Sequence, residues 1–133
     1  MSVKPAGPGD LTARYRGYLD CLNAQDWGRL GDFVADDVVR NDARLWLDGY
    51  RAMLEADFRA IPDLRFEIGQ LAVESPTVAA RLQFDCHPAG VLFGLPVNGR
   101  RVRFAEHVFY AWRGDRIAMV WSLIDVEAMA AQI

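Results

Sequence analysis

The sequence predicts a single α+β domain in which three helices are followed by a strongly curved antiparallel sheet. Three observations carry that prediction. Apolar residues recur at helical spacing up to Ala60, the period changes to two after Ile61-Pro62-Asp63, and the second half is punctuated by the turn signals Asn98-Gly99 and Arg113-Gly114-Asp115. Helices first and strands afterwards fit segregated α+β packing rather than alternating α/β units. At 133 residues the chain is long enough to bury a real core as one domain.

Residues 1–10 are rich in Pro and Gly and are expected to be a disordered tail, leaving 11–133 as the domain. Asp10 is placed to cap a first helix running to about Ala24, with Tyr15, Tyr18, Leu19 and Leu22 on one stripe. Asp26 opens a short second helix carrying Trp27, Leu30 and Phe33. Asp36-Asp37 then turns into a brief strand through Val38-Val39 that reaches Asn41 and Asp42. A third helix from about Asp48 to Ala60 buries Tyr50, Met53, Leu54 and Phe58. Leu64, Phe66 and Ile68 begin the alternating region, and Val78, Ala80, Leu82, Phe84 and Cys86 alternate with Ala79, Arg81, Gln83 and Asp85. Pro88 to Gly99 is a loop closing in a tight turn, after which Val102–Trp112 makes a long strand. Arg116–Ile124 returns antiparallel to it, and Asp125 can cap a last helix reaching Gln132.

That returning strand is apolar on both faces. Ile117, Met119, Trp121 and Leu123 should point one way, and Ala118, Val120, Ser122 and Ile124 the other. Helices can cover one side only, so the other meets a partner or lies under the C-terminal segment. A homodimer through the outer sheet face is the expectation.

Composition excludes several classes. A formal charge of −3 and a pI near 5.3 give no broad basic field, which argues against nucleic acid despite Arg100, Arg101 and Arg103. No run approaches the ~20 apolar residues of a membrane span, and the N-terminal residues lack a secretion signal's apolar stretch, so a cytoplasmic protein is expected. Cys21 and Cys86 have neither disulfide-framework nor zinc spacing. No Gly-rich phosphate loop and no metal-ligand cluster occurs, so neither metal nor organic cofactor is expected.

Chemistry concentrates on Glu106, a carboxylate inside the most apolar stretch of the chain. Strand parity sets Val102, Phe104, Glu106, Val108 and Tyr110 on one face and Arg103, Ala105, His107 and Phe109 on the other. An acid on an apolar face has its pKa raised by desolvation and becomes a proton carrier near neutrality. The structural alternative is an ion pair with an Arg such as Arg81. An aldol or isomerisation step beside a carbonyl needs a base for the α-proton and a donor for the enolate oxygen. Glu106 is the candidate base, walled by Phe84, Phe104, Val108 and Tyr110, and Tyr18, Asn41, Ser122 or Arg81 are the candidate donors. Asp125 is the second candidate acid, or simply a helix cap. His107, on the opposite face, reads as part of an interface, and His87 as a loop residue able to line a pocket mouth.

The order helix–helix–strand–helix–sheet, with Gly94-Leu-Pro96, Asn98-Gly-Arg-Arg-Val-Arg-Phe104, Gly114-Asp-Arg-Ile117 and Val120-Trp-Ser-Leu-Ile-Asp125, resembles the SnoaL-like polyketide cyclases. The resemblance runs from about Leu11 to the C-terminus and implies a cone-shaped, cystatin-like or nuclear transport factor 2-like fold around an apolar pocket. It implies intramolecular aldol chemistry without metal or organic cofactor. The same superfamily holds isomerases, epoxide hydrolases, dehydratases and non-catalytic binders. Glu106 matches the family's polar position on the long strand, Asn41 the polar end of the first short strand, and Asp125 a following Asp. Val108 stands where the best known cyclases have His, and Ser122 where their acidic base falls. Trp46 precedes the helix that commonly closes the cone mouth. Two functions follow: a cofactor-free cyclase or isomerase acting on a small apolar carbonyl compound, or a non-catalytic hydrophobic-ligand-binding or scaffolding member of the same fold.

Overall fold

The computed structural model describes residues 8–133. The expected tail therefore lies largely outside the described residues, and helix α1 begins at Pro8 and runs to Asn23. Proline suits that first turn, where an amide N–H has no intrahelical acceptor. The stripe Leu11, Tyr15, Tyr18, Leu19 and Leu22 is buried along its length. The second expected helix is a stretch of 3-10 helix, Trp27–Asp32, whose Gly28 and Gly31 disfavour a regular α-helix. Among the described residues the helices are thus two long α-helices, this 3-10 segment in place of the short second helix, and a short C-terminal helix after Asp125.

Strand β1 (Val34–Arg40) and the two-residue β2 (Ala43–Arg44) lead into helix α2 (Trp46–Ala60). Strands β3 (Glu67–Glu74) and β4 (Thr77–Cys86) are followed by a small hairpin, β5 (Val91–Leu92) and β6 (Leu95–Pro96). The hairpin interrupts what the sequence presents as a plain loop. Asn98 and Gly99 then take φ of 50° and 82°, and Arg100 N–H donates to the Val97 carbonyl at 3.0 Å, the closed turn their residue types favour. Strands β7 (Val102–Arg113) and β8 (Arg116–Ile124) complete the sheet, and helix α3 (Val126–Ala130) closes the chain.

The six main strands run in the order β2-β1-β8-β7-β4-β3. Every pairing is antiparallel except β1 with β8, which is parallel, so the expected wholly antiparallel sheet is corrected at that seam. Bulges bend the sheet around its core. One falls at Gly69, where a Cβ would come within 2.7 Å of the Gln83 side chain. Another falls at Ala118: Ala111 faces Met119 while Trp112 faces Ile117. That slip turns Ile117 to the buried side and corrects its assignment to the face of Met119, Trp121 and Leu123.

Inside the curve, Val78, Leu82, Val102 and Val108 are fully buried or nearly so, and each large side chain removed from water contributes about 1.5–3 kcal/mol. At the closed end lie Tyr15, Tyr18, Tyr50 and Tyr110. The Tyr18 and Tyr50 hydroxyls are 2.6 Å apart, and Tyr15 donates to Tyr110 at 3.3 Å, so these buried phenols satisfy one another in two pairs. At the other end a row of rings, Phe66, Phe84, Phe104 and Phe93, steps across the strands at centroid separations of 5.5, 5.1 and 6.3 Å.

Candidate active site

Strand β7 is unbroken by any bulge between Val102 and Ala111, so its alternation holds and Glu106 faces the interior with Phe104 and Val108. It enters a cavity of about 220 Å³ whose walls are Met53, Ile61, Leu64, Phe66, Phe84, Phe93, Phe104 and Ile124. Among the described residues three charged side chains line that space: Glu106, Asp57 from α2 and Arg40 from the end of β1. A larger depression of about 460 Å³ lies on the outside of the sheet, lined by Glu67, Arg81, Asp85, Arg103 and Asp125 among others. Its charges lie on the solvent side, where Arg103 pairs with Asp85 at 3.4 Å, whereas the inner cavity sets its charges against an apolar wall. Electrostatics are strongest in the second setting.

Burial holds the Glu106 carboxyl above its ordinary pKa, while a hydrogen bond from the Ser122 hydroxyl and the charge of Arg40 pull it back. Asp57 is pushed up to about 6, by burial first and then by the negative charge of Glu106, with Arg40 opposing. Asp57 thus feels both Glu106 and Arg40 across the cavity, and Glu106 feels the charge of Arg40. No hydrogen bond or close ion pair ties the side chain of Asp57 or of Arg40 to another described residue, so both face the cavity available to a ligand.

Of the candidates read from the sequence, the structure brings Glu106, Ser122, Phe84 and Phe104 together. Val108 lies on the same face, opposite Ser122 in register, but beneath the cavity wall. The others lie elsewhere. Tyr18 and Tyr110 belong to the buried phenol cluster behind the cavity, where Tyr18 is committed to Tyr50. Asn41, at φ 47°, turns its amide onto the backbone of Ser122, accepting from Ser122 N–H at 2.8 Å and donating to its carbonyl at 3.2 Å; it holds that residue in place and is itself exposed. Arg81 lies on the outer face and donates to His107 Nε2 at 3.2 Å, because its strand pairs Arg81 opposite His107. It therefore cannot neutralise Glu106. Trp46 is 57% exposed with the Arg44 guanidinium stacked 5.4 Å over its ring, and it does not line the cavity. Asp125 accepts from Ala128 N–H at 3.1 Å as the cap of α3 and borders the outer depression. His87 sits with Asp63 at 2.8 Å on the surface.

Arg40 and Asp57 were not singled out from sequence, though each left a signal. Arg40 follows Val38 by two residues and pairs with Val120, which marks the inner face of β1. Asp57 falls on the stripe Tyr50, Met53, Leu54, Ile61, at the one position of that stripe that is charged. Among the described residues no three His, Cys, Asp or Glu side chains are grouped to hold a metal ion.

The family model described as SnoaL-like polyketide cyclase matches residues 12–133. The crystal structure of a SnoaL-like polyketide cyclase from Agrobacterium tumefaciens is 49% identical, covering 92% of this chain and 96% of its own, with a TM-score of 0.90. TsrD from Streptomyces laurentii is 19% identical over 96% of both chains with a TM-score of 0.83. IdmH from Streptomyces antibioticus is 19% identical, covering 92% of this chain and 96% of its own, with a TM-score of 0.80. At that identity the last two share the fold. No curated protein matches the chain.

Proposed function

The chain belongs to the SnoaL-like polyketide cyclase family, and from that membership and the chemistry of its inner cavity we propose a small enzyme that acts on an apolar carbonyl compound by acid–base catalysis, as a cyclase or isomerase does, without metal or organic cofactor. One observation carries the proposal: Glu106, its pKa raised by burial, faces a phenylalanine-walled cavity that also holds the cation Arg40. A carboxylate with a raised pKa is a stronger base for an α-proton. Arg40 is the donor for the enolate oxygen, a part that Tyr18, Asn41 and Arg81 are not placed to play. Ser122 stands where the family resemblance sets an acidic base, and its hydroxyl holds the Glu106 carboxylate beside that spot, so the acid reaches the same region from the neighbouring strand.

In the sequence of events this implies, the ring system lies among Phe66, Phe84 and Phe104 and the carbonyl oxygen points to Arg40. Glu106 takes the α-proton, and the enolate then attacks or is reprotonated. Deuterium incorporation at the α-carbon of 2-tetralone in D2O, followed by NMR, tests the first step. Wild type should exceed buffer and Glu106→Gln should fall to the buffer rate; equal rates for the two proteins would refute the proposal. The absence of the family's base at Ser122 favours a second reading, a hydrophobic-ligand-binding protein without turnover, for which tetralone would bind both proteins and exchange with neither.

For assembly we propose a homodimer through the outer sheet face. Phe109 (54% exposed) faces Trp121 (39%) across β7 and β8, and Leu123 beside them is 70% exposed, an apolar patch on the side away from α1 and α2.

A further inference from the structure

Asp57 has no part in the base-and-enolate scheme, yet it occupies the wall of the same cavity, on α2, while Glu106 comes from β7 and Arg40 from β1. A carboxyl on a helix stripe between Met53 and Ile61 costs stability unless something recompenses it. No described side chain hydrogen-bonds to it, and the charge of Arg40 across the cavity offsets its burial only in part. What a second carboxyl in a cavity adds is a proton to give while the first takes one. Burial first, and then the charge of Glu106, keep the proton on Asp57 up to a pH of about 6, while Ser122 donates to the Glu106 carboxylate, so below that pH the cavity can offer one acid and one base together.

We infer that Asp57 is a second catalytic group, the acid that protonates a leaving hydroxyl while Glu106 removes the α-proton, so that the cavity dehydrates β-hydroxy carbonyl compounds bearing an aromatic ring. The inference rests on the reading of Glu106 as the base. In the step, the α-C–H bond breaks and its proton goes to Glu106. The C=C bond forms as the β-C–O bond breaks, and the Asp57 proton joins the departing oxygen, which leaves as water. Glu106 ends protonated and Asp57 ionised, and exchange with solvent through the cavity mouth resets both. No oxidant or reductant is required. The aromatic ring is assigned by the row Phe66, Phe84, Phe104 and Phe93, and the small cavity volume limits the ligand to one or two rings.

The probe is 4-hydroxy-4-phenylbutan-2-one in D2O. Saturation-transfer NMR reads its binding, NMR reads deuterium incorporation at the α-carbon, and ultraviolet absorbance reads formation of the conjugated enone. Wild type should do both reactions. Asp57→Asn should lower the ratio of elimination to exchange at least ~30-fold, within the ~10²–10⁴ that a positioned acid supplies, and Glu106→Gln should lose both. An unchanged ratio in Asp57→Asn, or exchange without elimination by wild type, overturns the role of Asp57 and leaves Glu106 as base. A bound ketol that wild type neither exchanges nor dehydrates overturns the reading of Glu106 and this inference with it. A ketol that does not bind overturns the substrate class. Thermal melting of each variant verifies that the comparison is between folded proteins.

Discussion

Replacing Asp57 by Asn should stabilise the protein at neutral pH and remove part of its pH dependence. The carboxyl ionises at about 6 in the folded chain against a reference of 3.8, roughly two pKa units. Each unit is worth about 1.4 kcal/mol, which bounds the effect at ~3 kcal/mol, and partial solvent access lowers the expectation to ~1–2 kcal/mol. The folded pKa lies above the unfolded one, so the folded state holds this proton more tightly. The stability it contributes is complete below about pH 4, is lost as the pH rises towards about 6, and stays lost above. Asparagine has no proton to lose. Urea unfolding of both proteins at about pH 4, 5, 6 and 7 should show a difference near zero at the acid end that grows to a plateau in favour of the variant, equivalent to roughly 3–8 °C in Tm. A variant less stable than wild type at neutral pH, or a difference flat across the series, would refute the description of Asp57 as a buried, electrostatically disfavoured carboxylate.

Other expectations can be checked with the same protein. Ser122→Ala removes the hydroxyl that favours the ionised Glu106, so the Glu106 pKa should rise further; ¹³C NMR of the carboxyl reads this, and an unchanged titration would contradict the bond. Asp125→Ala removes the α3 cap and should cost about 0.5–2 kcal/mol by urea unfolding, with 2-tetralone exchange retained because the residue faces the outer depression. Leu123→Lys places a charge in the outer patch and should shift a dimer to monomer in sedimentation velocity, whereas a monomeric wild type would remove the assembly proposal.

Legibility in the sequence followed the regularity of the backbone. The face of Glu106 could be read because β7 keeps strict alternation and pairs with β4 without a slip. One residue of slip at Ala118 was enough to misassign Ile117, since a bulge leaves no mark in the apolar pattern. Ser122 came out beside Glu106 because it lies beyond that bulge, where parity is restored. For Arg81 the pattern leaves a solvent-facing and a cavity-facing reading, and the buried neighbours Leu82 and Ala80, which hold the inner face, decide for the outer one. Arg40 and Asp57 were hidden for a different reason. Each belongs to an element outside the strands that first suggested a site, and only the packing of α2 on β1, with β1 beside β8 in the sheet, brings them to the cavity that Glu106 enters. The parallel seam between β1 and β8 was equally invisible, because strand direction depends on how the chain travels between the two and not on their local composition.

The phenol cluster gives the chain an unplanned optical gauge. All four of its tyrosines lie in that one buried group, and burial raises the ionisation of each above its ordinary value. Phenolate absorbance should therefore stay silent as alkali is added to the intact molecule and then appear for all four rings in one step when the interior opens. Ultraviolet light alone would count opened molecules, with no label attached and no residue changed.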